Sequence, residues 1–136
     1  NQSSSYNLSF TTINAISGLG IITVVFPLEV TLSTTSSVCT TSYFSCSVNS
    51  TAITVKTGSV VAAGTNVSIS VSNIANPVTT TPSSPFQIST YFSATDELVD
   101  QLLTGPTVKA DAVSMLAATV TPASTTVLGK LVDYSF

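Results

Sequence analysis

Two cysteines and four glycosylation sequons are the residues whose types and spacing imply covalent chemistry. Cys39 and Cys46 enclose the stretch TTSYFS. In a secreted chain this spacing reads as a local disulfide closing a short loop, with two reduced buried thiols as the other reading. A metal site would need further ligands, and the chain has no His. Asn1, Asn7, Asn49 and Asn66 each begin an Asn-x-Ser/Thr triplet. A Ser/Thr-rich chain makes such triplets by chance, but phase argues for the use of three. Asn7 falls on the polar side of Tyr6-Leu8-Phe10 and Asn66 on the polar side of Val67-Ile69-Val71. Asn49 lies in a Ser-rich turn, so all three should face solvent, as a glycan requires. Thr79, Thr80, Thr81, Ser83 and Ser84 form a second candidate on composition, an O-glycan loop.

Catalysis is poorly served. Without His the easiest proton shuttle is missing, and without Arg there is no bidentate clamp for phosphate or carboxylate. A serine nucleophile would have only Lys56, Lys109, Lys130 or a carboxylate as its base, and no G-x-S-x-G or S-x-x-K arrangement occurs. The expectation is a non-enzyme without cofactor. Asp96, Glu97 and Asp100 are the one acidic cluster; they lack the alternating spacing of a calcium loop and read as a solvated loop. A Lys–Asn isopeptide served by Glu29 would need Lys56 in the core, yet Lys56 falls on a polar phase. A carbohydrate platform could draw on Tyr43, Phe44, Tyr91 and Phe92, each of which also reads as core or loop packing; a sugar-binding module is kept as an alternative.

Composition narrows the setting. Charged residues are 7% of the 136, against about a quarter in ordinary soluble proteins, while hydrophobic residues are 43%. That apolar content excludes disorder and supports one domain with a real core. Solubility must then come from Ser, Thr, Asn or attached sugar. The net charge of −3 argues against nucleic acid, which needs a basic footprint. There is no polybasic segment for anionic lipid and no run of about 18 apolar residues to span a membrane. No signal peptide is visible, so a secreted protein is expected here as a processed form or an excised segment.

These residues need elements to position them, and the organising stretch is Asn66 to Tyr91. Val67, Ile69 and Val71 alternate with Asn66, Ser68, Ser70 and Ser72; later, Phe86, Ile88 and Thr90 alternate with Gln87, Ser89 and Tyr91. Between these two strands, Asn76-Pro77 and Thr81-Pro82-Ser83-Ser84-Pro85 forbid helix and central strand alike. Ser5–Thr12 reads as a strand with Tyr6, Leu8 and Phe10 inward. Ile21–Ser33 reads as one long strand with Ile22, Val24, Phe26, Leu28, Val30 and Leu32 on one face and Pro27 at a bulge, bend or edge. Thr51–Thr57 is a short strand. The stretch Asp96–Leu103 is open between a helical turn and a strand around Leu98-Val99, with the strand preferred. Val108–Val120 reads as one or two strands and Val127–Phe136 as the last, with Leu128, Val132, Tyr134 and Phe136 on one face. Short strands between Gly, Pro, Asn and Ser clusters predict an all-β antiparallel sandwich, with a closed barrel as runner-up.

The two ends also look alike: Tyr6-Asn7-Leu8-Ser9-Phe10 against Val132-Asp133-Tyr134-Ser135-Phe136. If the match is structural, the chain runs one repeat plus the opening strand of the next. A wider order of motifs carries a resemblance: LSFTTINAI, a Gly turn, ITVVFP, the Cys pair, GTNVSISV, IANP, PFQISTY and VTPASTTV. This resembles the immunoglobulin-like repeats of large secreted and surface proteins of ciliates and other protists. It covers most of the chain, with DELVDQLLTG departing from the pattern. The resemblance implies an immunoglobulin-like sandwich, an extracellular setting and no catalytic residues.

Sandwich edges are normally blunted by charge, and this chain has little to blunt them with. The expectation is therefore residues 1–126 as the sandwich and 127–136 as a strand donated to a neighbouring copy. Leu128, Val132, Tyr134 and Phe136 would be its contacts, building a glycosylated extracellular filament or surface coat head to tail. The competing readings are one unit of a covalent tandem array and a monomer whose last strand pairs at home.

Overall fold

Alternation places the strands. In the computed structural model, which describes residues 3–43, 45–93, 97–110, 121–122 and 134–135, every regular element is a β-strand. In order they are β1 (Ser3–Thr11), β2 (Ile21–Val25), β3 (Val38–Thr41), β4 (Ser45–Val48), β5 (Ala52–Lys56), β6 (Asn66–Ala75), β7 (Gln87–Tyr91), β8 (Leu98–Leu102), β9 (Thr121–Pro122) and β10 (Tyr134–Ser135). Two antiparallel sheets pack together as a β-sandwich, one ordered β1-β6-β3 and the other β4-β5-β2-β7-β8. The sandwich expectation is met and the barrel is not. Among the described residues β9 and β10 pair only with each other.

β6 is the centre of the first sheet. Its Val67, Ile69 and Val71 are fully buried, while Asn66 and Ser68 face out. It lies antiparallel to β1 with Phe10, Leu8 and Tyr6 opposite those three residues. A bulge opposite the Ser4–Tyr6 step then adds a residue to β6, near Asn73 at φ 58°. Asn adopts this left-handed backbone more readily than most residues, and its amide donates to Ser36 O, 37 positions away, at 2.8 Å. The added residue resets the phase, so Ile74 is buried where strict alternation would have placed Asn73.

β2 is the centre of the second sheet. Ile22 and Val24 are fully buried between Val55 and Ile53 of β5 and Thr90 and Ile88 of β7. The long strand expected over Ile21–Ser33 is corrected here: it stops at Val25. Pro27 supplies no N–H to continue the ladder, and a tight turn follows in which Val30 N donates to Pro27 O at 3.0 Å. The chain then crosses to the other sheet, where Thr31 and Ala75 exchange backbone hydrogen bonds of 3.1 Å each. Leu28, expected inward, lies 86% exposed on this turn, while Val30 and Leu32 return to the core.

The core runs between the sheets from Ile16 and Val61 to an aromatic cluster of Tyr6, Phe26 and Phe86, with Phe26 and Phe86 4.9 Å apart between ring centres. The expected long loop after β6 is present. Its far half is held by residues 105–110: Ser83 N donates to Val108 O at 2.8 Å, Phe86 N to Pro106 O at 3.0 Å and Ala110 N to Thr79 O at 2.9 Å. The stretch left open between helix and strand contains β8, as preferred.

Candidate assembly surface and glycan sites

One side of the sandwich is stapled. β3 lies at the edge of the first sheet and β4 at the edge of the second, and Cys39 and Cys46 join them in a disulfide with Cα atoms 5.8 Å apart. Cys39 sits opposite Val71 and Cys46 opposite Val55, both half-buried against the core. The local loop expected from spacing is thus also a bond between sheets.

Among the described residues the opposite side is open. Its edges are β1 and β8, with a groove of about 400 Å³ between them, lined in part by Phe10, Ile13, Ile88, Val99, Asp100 and Leu102. Tyr6, Leu8 and Phe10 are only half-buried, whereas their register partners on β6 are fully buried. Along the lip, Ile13 is 80% exposed and Leu102 44%. β1 has neither a charged residue nor a proline, two of the devices that protect an edge.

Asp100 closes one end of the groove. Its carboxylate accepts hydrogen bonds from Ile13 N at 3.3 Å, Asn14 N at 3.0 Å and Asn14 Nδ2 at 2.7 Å. Its own backbone N–H donates to Thr90 Oγ1 at 3.0 Å. A carboxylate with this donor set is a clamp between β8 and the turn after β1. The solvated-loop reading of the acidic cluster is therefore corrected for Asp100, which is half-buried; Glu97 is exposed and Asp96 lies outside the described residues. Among the described residues no three His, Cys, Asp or Glu side chains gather as for a metal ion.

Asn7, Asn49 and Asn66 are all exposed. Asn7 and Asn66 share the outer face of the first sheet, where Asn7 Oδ1 accepts from Ser70 Oγ at 2.7 Å and Asn66 Oδ1 from Ser9 Oγ at 2.8 Å. Asn49 Oδ1 caps its own turn, accepting from Thr51 N at 2.9 Å and Ala52 N at 2.6 Å. In all three the amide oxygen is the engaged atom, and a glycan is carried on the nitrogen. Asn1 lies outside the described residues.

Thr79, Thr80, Thr81 and Ser84 are exposed, but Ser83 is buried. The Ser83 hydroxyl donates to Ser84 O and accepts from Val108 N, so it leaves the O-glycan set: a sugar needs a reachable hydroxyl. Ser84 instead holds Glu29, whose carboxylate accepts from Ser84 Oγ at 2.9 Å and Ser84 N at 3.2 Å. The Glu29 carboxyl lies below the usual carboxylate range because its own backbone N–H, then the Ser84 hydroxyl and N–H, bond its charged form. Lys56 and Glu29 are both exposed, which removes the core placement an isopeptide bond needs.

Of the aromatic candidates, Tyr43 packs on the core, Tyr91 is half-buried and Phe92 is 52% exposed; Phe44 lies outside the described residues. At the end of β1 remote from Asp100, burial pushes the Tyr6 hydroxyl pKa up, and that hydroxyl donates to Asn76 Oδ1 at 2.8 Å. Of the expected donor strand, Tyr134 lies in β10, paired with Pro122 of β9 rather than with either sandwich sheet. Leu128, Val132 and Phe136 lie outside the described residues. Among the described residues no helix is long and apolar enough to cross a membrane.

Sequence reasoning placed the disulfide and the exposed sequons but not the groove. The available signal was the absence of charge from Ser3 to Thr11. What hid the groove is that it forms between strands almost ninety positions apart in sequence, as the Asn14–Asp100 bond shows by its separation of 86. Compared with known protein families, curated proteins and solved structures, the chain matches none.

Proposed function

We propose that this chain is a structural subunit of an extracellular filament or surface coat, a secreted glycoprotein whose copies assemble head to tail by β-strand addition. The observation that carries this reading is the asymmetry of the sandwich: one side stapled by Cys39–Cys46, the other ending in the long uncharged edge of β1 over an apolar groove. Backbone hydrogen bonds along such an edge supply affinity and the groove supplies side-chain specificity. A donor and an acceptor on different parts of one chain make a contact that need not close, so it propagates.

The strand order supports an immunoglobulin-like reading. β1-β6-β3 corresponds to strands B, E and D of that fold, and β2-β7-β8 to C, F and G. β3 and β4 depart from its chain order, since they precede β5. No described strand takes the place of A, beside B. The disulfide fits an oxidising compartment, and glycans at Asn7, Asn49 and Asn66 would supply the solubility that charge does not.

The likeness of Tyr6–Phe10 to Val132–Phe136 favours a second reading, one unit of a covalent tandem array. Negative-stain microscopy of the native chain, with and without residues 127–136, separates the two. Filaments that vanish on deletion support strand addition; single particles of one chain from both samples overturn it in favour of the array.

A further inference from the structure

We infer that the acceptor for the 127–136 segment of a second copy is the outer edge of β1, which no described strand pairs, with one end of the segment seated in the groove between β1 and β8. This rests on the strand-addition reading above and names the site it leaves open.

Three observations select this edge and this occupant. First, β1 is an edge strand with no described strand on its outer side, so an incoming strand can pair beside it. The half-exposed Tyr6, Leu8 and Phe10 are what an inner strand looks like when its outer neighbour is missing. Second, the other edges are poorer acceptors. β3 and β4 are four residues long each and tied to one another by the disulfide, and β8 is five residues long and carries Asp100. β1 offers nine residues without charge, close to the ten of the segment 127–136. Third, the chemistry matches by phase. Leu128, Val132, Tyr134 and Phe136 share one face of an extended segment, and Lys130 shares it with them. Laid along β1, that face turns its apolar side chains toward Tyr6, Leu8 and Phe10, and the end of the segment beside Phe10 enters the groove against Val99 and Leu102. It also brings the segment's one cation toward the one carboxylate of the lining, Asp100. The opposite face holds Val127, Gly129, Leu131, Asp133 and Ser135, of which Asp133 and Ser135 would continue the polar outer face that carries Asn7 and Asn66.

The test uses two kinds of full-length variant. Leu102→Glu places a charge on the groove's exposed lip and should block accepting while leaving donation intact. Val132→Asp with Phe136→Asp should block donation and leave the groove intact. Each is expected to run alone at the mass of one chain. An equimolar mixture should give a two-chain particle and nothing larger, because one free donor meets one free acceptor. Ile13→Glu, on a residue 80% exposed, repeats the acceptor block at a second point of the lip, so a folding defect in Leu102→Glu cannot decide the outcome. If both lip variants assemble like the native chain while the donor variant does not, strand addition stands and the β1 acceptor is overturned. If the donor variant also assembles like the native chain, or the native chain itself stays single, the underlying reading falls and the acceptor with it.

Discussion

The Glu29 carboxylate holds three hydrogen bonds that it loses on protonation, and this ties a turn of the first sheet crossing to the loop at Ser84. Its folded pKa lies below the ordinary carboxylate value. Its contribution is therefore complete above that value and is lost as pH falls through the depressed one. The Ser84 amide proton resonance should titrate with a midpoint below that of a free glutamate, and Glu29→Gln should abolish the titration; a midpoint at the ordinary value would contradict the clamp. Gly20 acts by size. A Cβ there would meet the Ile16 side chain and approach Ser17 O to 2.9 Å and Tyr91 O to 3.0 Å. Gly20→Ala should cost about 1–3 kcal/mol in denaturant unfolding, and an unchanged midpoint would show that the turn relaxes freely. At the sequons, secretion from a eukaryotic host should give three N-glycans, with Asn7→Gln, Asn49→Gln and Asn66→Gln each removing one by intact mass. A bare polypeptide mass would remove sugar from the account of solubility.

The contrast between β6 and β1 has an energetic consequence. Ile69 is fully buried and its register partner Leu8 only half-buried, so Ile69→Ala should cost about 2–5 kcal/mol and Leu8→Ala distinctly less in the unassembled chain. Equal losses would mean that the β1 side is already covered. On the other side, Cys39 and Cys46 are seven residues apart, and closing so short a loop restrains the unfolded chain by about 2.5 kcal/mol. The Cys39→Ser, Cys46→Ser double variant should lose about that much stability in urea; no loss would leave the staple without energetic weight. Much at this scale was legible in the sequence. The alternation of Val67, Ile69 and Val71 and of Tyr6, Leu8 and Phe10 gave both the strands and their inward faces, because a half-buried strand cannot shift phase without exposing its core set. Ile21–Ser33 was misread because periodicity persists through a turn. Phe26, Val30 and Leu32 stay in phase and buried, although the chain leaves its sheet at Pro27 and exposes Leu28. The clamp at Asp100 and the burial of Ser83 were not legible either, since each depends on a partner strand or segment remote in sequence.

Among the described residues one side of the sandwich is bonded shut and the other carries no further strand, and the assembly we propose assigns the acceptor to that second side. The outward positions of β1, β3 and β6 carry no charge that would keep copies apart. In the proposed assembly the donor and acceptor lie at different places on each copy, which gives an open chain of subunits rather than a closed pair. The mass of the native chain in solution, measured by light scattering over a range of concentrations, tests this most directly. Self-assembly predicts a particle many times heavier than the 13.9 kDa polypeptide, growing with concentration. A single species of one polypeptide with its glycans, unchanged on concentration, would contradict it.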